Sequence, residues 1–235
     1  IGEHEADLAA RNIQLDAEGV SFDAVTAEET VPVHVGIPGG FMVYNTLGVL
    51  AAAQALGVSL GDSAHILLHS AHVKGRVEVV PTPGDYTMLI DYAHTPDALE
   101  NVLTSARGFA KGRVVALFGC GGDRDRTKRP KMGRIAAKLA DFVIVTSDNP
   151  RTEDPEAIIE EILTGMADTN TPYAVVPNRV EAIHYAMDHA RSGDVIILAG
   201  KGHETYQIIG HEKRHLDERE VVADYIHELQ QKERT

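Results

Sequence analysis

Beyond about residue 75 the chain alternates short apolar runs with longer amphipathic segments, an alternation that admits few folds. A run that is apolar on both sides is most readily buried as an inner strand of a parallel sheet covered by helices on both faces. Strands are expected at 87–91, 114–118, 142–146, 173–176 and 195–199. Helices are expected at 96–109, 130–140, 154–166, 179–190 and 216–232, several opening on Pro or Asp, which suit a helix N-terminus. The expected class is α/β, a Rossmann-like, doubly wound and mostly parallel sheet.

The first third reads differently. Alternating residues at 19–25 and 30–35 suggest antiparallel strands, and Phe41 opens a helix to residue 56 with Val43, Leu47, Leu50 and Ala51 at helical spacing. After Gly57, the stretch Leu60-Gly61-Asp62-Ser63 starts a second helix with Ala64, Leu67, Leu68 and Ala71 on its apolar side, closed by Lys74-Gly75-Arg76. A boundary is therefore expected between 1–75 and 76–235. The chain opens on Ile1 rather than Met and its early strands lack evident partners, so a fragment of something larger is expected.

Charge and cysteine content then exclude function classes. Lys and Arg number 22 against 35 Asp and Glu, a net charge of -13, so no nucleic-acid surface is expected. A single cysteine, Cys120, permits neither an intrachain disulfide nor a multi-cysteine zinc site. No apolar run approaches the roughly 18 residues of a membrane span, and no basic then apolar leader is present, so a cytoplasmic protein without a membrane partner is expected.

In a doubly wound sheet, ligands sit outside the carboxyl ends of the strands. The residues there are Asp91-Tyr92-Ala93-His94-Thr95-Pro96, Gly119-Cys120-Gly121-Gly122-Asp123-Arg124-Asp125, Ser147-Asp148-Asn149-Pro150-Arg151 and Gly200-Lys201-Gly202-His203-Glu204. Any one such loop is polar and Gly-rich by habit, whereas four together point to a site. Gly119–Gly122 lacks the third glycine of a dinucleotide fingerprint. Gly200-Lys201 is not followed by Ser or Thr and is no P-loop, and His203-Glu204 lacks the second histidine of a zinc protease. Arg124 and Arg151 can offer planar forks to carboxylate or phosphate, while Asp148 and Glu204 can accept an ammonium, a set that suits an amino acid with several charged ends. From composition alone the favoured alternative is that these four pair with one another. His65, His69 and His72 share one helix face and could bind metal, although a solvated flank is the commoner use and no metal site is expected.

Taken together, Gly36–Asn45, Gly75-Arg76-Val77-Glu78 and the four loops closely resemble the Mur ligases, and within that family the members that add meso-diaminopimelate. The resemblance covers nearly the whole chain. It implies that residues 1–75 are the end of a central ATPase domain and 76–235 a complete C-terminal α/β domain. It further implies ATP-dependent, Mg²⁺-assisted amide formation in peptidoglycan precursor synthesis. A D-glutamyl carboxylate of UDP-N-acetylmuramoyl-L-alanyl-D-glutamate becomes an acyl phosphate, which the amine of meso-diaminopimelate attacks. The family's P-loop and carbamylated lysine belong upstream, so no catalytic residue is expected in this chain and no turnover by it alone.

By resemblance Asn45, Arg76, Asp91 and His94 contact the nucleotide, Arg76 at the phosphates and Asp91 at the ribose. Met42 departs from the family, which usually has asparagine there. Arg124, Asp148, Asn149, Pro150, Arg151, Gly200 and Glu204 map onto the recognition of meso-diaminopimelate. A monomer is expected. The alternatives are another Mur-type ligase, such as one like folylpolyglutamate synthetase, and a binding module without enzymatic role.

Overall fold

A computed structural model describes residues 6–69 and 73–232, and the chain divides into two compact units, one up to Val73 and the other from Lys74. In the first unit, β1 (Ala9–Leu15), β2 (Val20–Val25) and β3 (Thr30–Val35) form an antiparallel sheet in that order. Alternation in β2 turns Val20, Phe22 and Ala24 inward, where they meet Val33 and Val35 of β3, Val43 and Leu50 of α1 (Phe41–Ala55), and Leu60 and Ala64 of α2 (Leu60–Leu68).

The sequence reading misses β1. A bulge between Arg11 and Gln14, with Asn12 at φ 53°, breaks its alternation, and only Ala10 of the strand is buried. It also runs α2 too far: the helix ends at Leu68, capped at its start by the Ser59 hydroxyl accepting from the Asp62 N–H. Leu68 itself is exposed. Ala71 and His72 lie outside the described residues; His65 and His69 stack edge to face, with ring centroids 5.0 Å apart.

The second unit is built on a six-stranded sheet in the order β4-β5-β9-β6-β7-β8, parallel except for β4. These strands are β4 (Glu78–Val80), β5 (Thr87–Asp91), β6 (Val114–Phe118), β7 (Phe142–Val145), β8 (Tyr173–Val175) and β9 (Val195–Ala199). Every residue of β6 and β9 is buried, as strands covered on both faces require. Val115, Leu117, Ile196 and Leu198 pack with Ala182 and Ile183 of α6 (Arg179–Asp188) and Val222 of α7 (Glu218–Lys232). The alternate residues lie on the opposite face, where α3 (Pro96–Arg107) contacts β6 and β9 and α4 (Lys128–Leu139) contacts β7, with α5 (Pro155–Thr164) against α4.

Helix starts follow their caps: Thr95 and Asp154 accept from backbone N–H groups just ahead of Pro96 and Pro155, and Asn178 does so for α6. Three starts differ from expectation, α5 by one residue because Asp154 is its cap rather than its first residue. Helix α4 begins two residues early at Lys128, leaving Pro130 within the first turn, where its missing N–H is harmless. Helix α7 begins at Glu218 rather than Leu216: Asp217 Oδ1 caps it by accepting from the Arg219 N–H, and the Leu216 N–H donates to the Thr205 carbonyl. That bond closes a hairpin, β10 (Tyr206–Ile209) with β11 (Glu212–His215), which the sequence reading does not contain. No described helix is long and apolar enough to cross a membrane.

Candidate functional site

The carboxyl ends of β5, β9, β6 and β7 lie side by side, and the loops that leave them line one open cleft of about 760 Å³. The loop after β5 contributes Tyr92, His94 and Thr95; that after β6, Gly121, Arg124 and Asp125; that after β7, Asp148, Asn149 and Arg151; that after β9, Gly200 and Glu204. Lys128 and Lys131 of α4 and Tyr206 of the hairpin complete the wall. Six of the seven residues expected at an amino acid thus border one cavity. The seventh, Pro150, is buried behind it, its carbonyl so near Gly122 that a Cβ there would sit 1.9 Å away.

The acidic corner is organised by a residue outside the expected set. Lys201 has no solvent exposure, and its Nζ donates to Asp148 Oδ1 (3.4 Å), Asn149 Oδ1 (3.2 Å) and Glu204 Oε2 (3.3 Å). The Asn149 amide nitrogen also donates to Glu204 Oε2 at 2.9 Å. Among the described residues, Asp148 Oδ2 and Glu204 Oε1 accept from no donor, which leaves two carboxylate oxygens for a ligand cation. Gly200 stands at φ +115°, and a Cβ there would press to 3.2 Å from Asp148 Oδ2.

The expected pairing of Arg124 and Arg151 with Asp148 and Glu204 does not occur; the buried ammonium of Lys201 pairs with one oxygen of each carboxylate. Arg151 Nη1 instead donates to the carbonyls of Gly122 (2.8 Å) and Asn149 (3.4 Å), and Arg124 Nη1 to that of Asp123 (3.3 Å). Among the described residues, neither guanidinium meets a carboxylate. Arg151 is held at φ 52°, its N–H donating to the Ile208 carbonyl and its own carbonyl accepting from Gly210, so the hairpin fixes its position.

The four residues expected at a nucleotide are placed differently. His94 lines the cleft, its Nδ1 2.8 Å from the Tyr92 carbonyl oxygen. Arg76 lies over the Tyr92 ring, 5.3 Å from its centroid, and its charge acts on the Asp91 carboxylate. Asp91 is 7% exposed and does not line the cleft; its Oδ2 accepts from the Val77 N–H at 2.8 Å. Burial holds its carboxyl above the usual range, against the pull of that N–H and the Ala93 N–H. Asn45 belongs to the first unit, where it is exposed on α1 with its amide 3.8 Å from Met42 Sδ. Cys120 adds no nucleophile, since burial pushes its thiol up to about 12. Among the described residues no group of three His, Cys, Asp or Glu could hold a metal ion.

Arg129, wholly buried, ties the loops after β6 and β7 together through Glu153 (2.9 Å), Glu161 (2.9 Å) and the Gly121 carbonyl (3.2 Å), while Glu153 Oε1 also accepts from the Asp123 N–H. The Arg129 hydrogen bonds, then that N–H, hold the Glu153 carboxyl down to about 2 from an ordinary 4.5. A depressed acid stabilises the fold fully above its unfolded value and loses that contribution as pH falls through its folded value. Between pH 4.5 and about 2 the chain should therefore lose stability faster than Glu153→Gln, read as urea midpoints against pH. Parallel curves for the two proteins would show that Glu153 contributes nothing.

Residues 75–202 match the family described as Mur ligase, glutamate ligase domain. The chain is 48% identical over 225 residues to the UDP-N-acetylmuramoyl-L-alanyl-D-glutamate--2,6-diaminopimelate ligase of Clostridioides difficile, covering 96% of this chain and 46% of that protein. Against the ligase of the same name from Bacillus cereus it is 49% identical over 221 residues, covering 94% and 45%. A solved structure bearing that name superposes with a TM-score of 0.78 at 35% identity, over 97% of this chain and 47% of the other. UDP-N-acetylmuramate-alanine ligase of Thermotoga maritima shares the fold, with a TM-score of 0.67 at 18% identity over 96% of this chain and 46% of that one. The chain spans about half the length of the curated relatives it matches.

Proposed function

This chain belongs to the Mur ligase family, and on that premise we propose that it carries the amino-acid site of an ATP-dependent ligase adding meso-diaminopimelate to UDP-N-acetylmuramoyl-L-alanyl-D-glutamate. The observation that carries the reading is the separation of charge in the cleft. Among the described residues, Asp148 and Glu204 present oxygens without donors, and Arg151 and Arg124 present guanidiniums without carboxylates. Diaminopimelate carries two ammonium and two carboxylate groups, so both kinds of site find a partner on one molecule. Lysine lacks the distal carboxylate and leaves a half-buried guanidinium unmatched.

ATP supplies the phosphoryl group that activates the D-glutamyl carboxylate. The task of this chain is to hold the incoming amine in place and keep water away from the activated carboxylate, which closure of one domain on another accomplishes. Arg76 and His94 are the nucleotide contacts the geometry supports best, as a cation over the Tyr92 ring and a ring on the cleft wall. Asp91 serves the site by holding the Val77 and Ala93 N–H groups at the end of its strand. Calorimetric titration of the chain with meso-diaminopimelate should show saturable binding, and L-lysine little or none. Lysine binding as tightly as diaminopimelate would overturn the assignment.

A further inference from the structure

Within the cleft the most enclosed charge is one no ligand can reach. Lys201 is fully buried, its ammonium has three hydrogens, and it finds three acceptors, on Asp148, Asn149 and Glu204. We propose that Lys201 is a positioning residue: it touches no ligand, but sets the two carboxylates and the amide that do. The inference rests on the reading of the cleft as an amino-acid site only for what binds there; the positioning itself concerns this chain alone.

Three observations carry it. Asp148 and Glu204 are like charges in one corner, and the Lys201 ammonium stands between them, 3.4 Å and 3.3 Å from their nearest oxygens, where it offsets their repulsion. With Lys201 present the group sums to one negative charge, which matches a single ligand ammonium. The amide of Asn149 is also oriented by Lys201: its oxygen faces the ammonium and its nitrogen faces Glu204, and the reverse orientation would set donor against donor. Finally, Asn149 Oδ1 accepts from the Ile208 N–H at 2.9 Å, and the Gln207 amide donates to the Asp148 carbonyl at 2.5 Å. The hairpin that fixes the Arg151 backbone is thereby clipped to the residues that Lys201 orients.

This geometry gives a readout that needs no ligand. In Lys201→Met, which keeps most of the volume without the charge, exchange of the Ile208 amide should accelerate about fivefold or more, as for one lost hydrogen bond, while that of Ile197 in β9 stays unchanged. Affinity for meso-diaminopimelate should fall by about 30-fold or more, the lower end for removing one partner of a buried charge pair. In Lys201→Ala, methylammonium should restore Ile208 protection and affinity together, whereas tetramethylammonium, which has the charge but no N–H, should not. That contrast separates a hydrogen-bonding cation from mere packing. Wild-type Ile208 protection in Lys201→Met, or equal rescue by both cations, would overturn the proposal. Failure of the parent chain to bind diaminopimelate would instead count against the proposed function, and the exchange measurements would still decide the role of Lys201.

Discussion

Replacing Glu218 by Ala is expected to cost about 3 to 5 kcal/mol, the range for removing one member of a buried ion pair. Glu218 and Arg179 are both wholly buried, joined at 2.8 Å between Oε1 and Nε, and the loss leaves a guanidinium in the core without its counter-charge. Burial already holds the Glu218 carboxyl above its ordinary range, Arg179 pulling against it, and Oε2 has no partner, so the pair is satisfied on one side only. Arg179 also donates to the carbonyls of Ala199 (2.9 Å) and Ser147 (3.5 Å), the residues just before Gly200 and Asp148. The pair thus fixes where two loops of the cleft begin. At about 2 to 4 °C per kcal/mol for a domain of this size, the midpoint should drop by about 6 to 20 °C, read from the amides of β6 and β9 during thermal unfolding. Glu212→Ala, which removes an exposed pair with Arg214, should cost less than about 1 kcal/mol. Joint replacement by Arg179→Met and Glu218→Leu should recover most of the loss, since an apolar pair of similar volume leaves no charge stranded. A loss in Glu218→Ala no larger than in Glu212→Ala would show that the buried pair does not support the fold.

How much of this was legible in the sequence depends on whether a residue's partners lie within its own period. Val195–Ala199 announces an inner strand because five apolar residues in a row have no polar side to expose. β1 does not, since its bulge at Arg11–Gln14 destroys the alternation by which a half-buried strand is read. β4 contributes only three residues, and its place beside β5 depends on the turn that Glu78 and Arg219 hold from opposite ends of the unit. The hairpin did leave a local signal, Gly210-His211 between two short runs, with Gly210 at φ +61°. In the cleft the charged residue types were readable and their pairing was not. Lys201 looks like a failed P-loop lysine in the sequence; only burial beside Asp148 and Glu204 makes it their counter-ion. Nothing in the sequence marks Arg179 and Arg129 as interior residues, yet both are wholly buried, because their carboxylate partners arrive from distant segments.

The largest effect on ligand choice is expected from Arg151. Its guanidinium borders the cleft and, among the described residues, donates to the carbonyls of Gly122 and Asn149, while its backbone is held by Ile208 and Gly210. A ligand whose distal carboxylate reaches the fork forms two charge-assisted bonds, while lysine pays the desolvation of the guanidinium for nothing in return. That difference is about 2 to 5 kcal/mol, or about 30-fold to several thousand-fold in the ratio of dissociation constants. Arg151→Ala should remove most of the preference by weakening meso-diaminopimelate and leaving lysine nearly unchanged. Arg151→Lys should keep part of it, since an ammonium supplies the charge without the planar fork. Both variants must retain a backbone at φ 52°, so Ile208 and Gly210 amide exchange serves as the check that the loop is intact. Calorimetric titration of the three proteins with both amino acids decides the matter. Undiminished diaminopimelate selectivity in Arg151→Ala, with the loop intact, would move the recognition of the distal carboxylate to another cation of the cleft, of which Arg124 is the first to test.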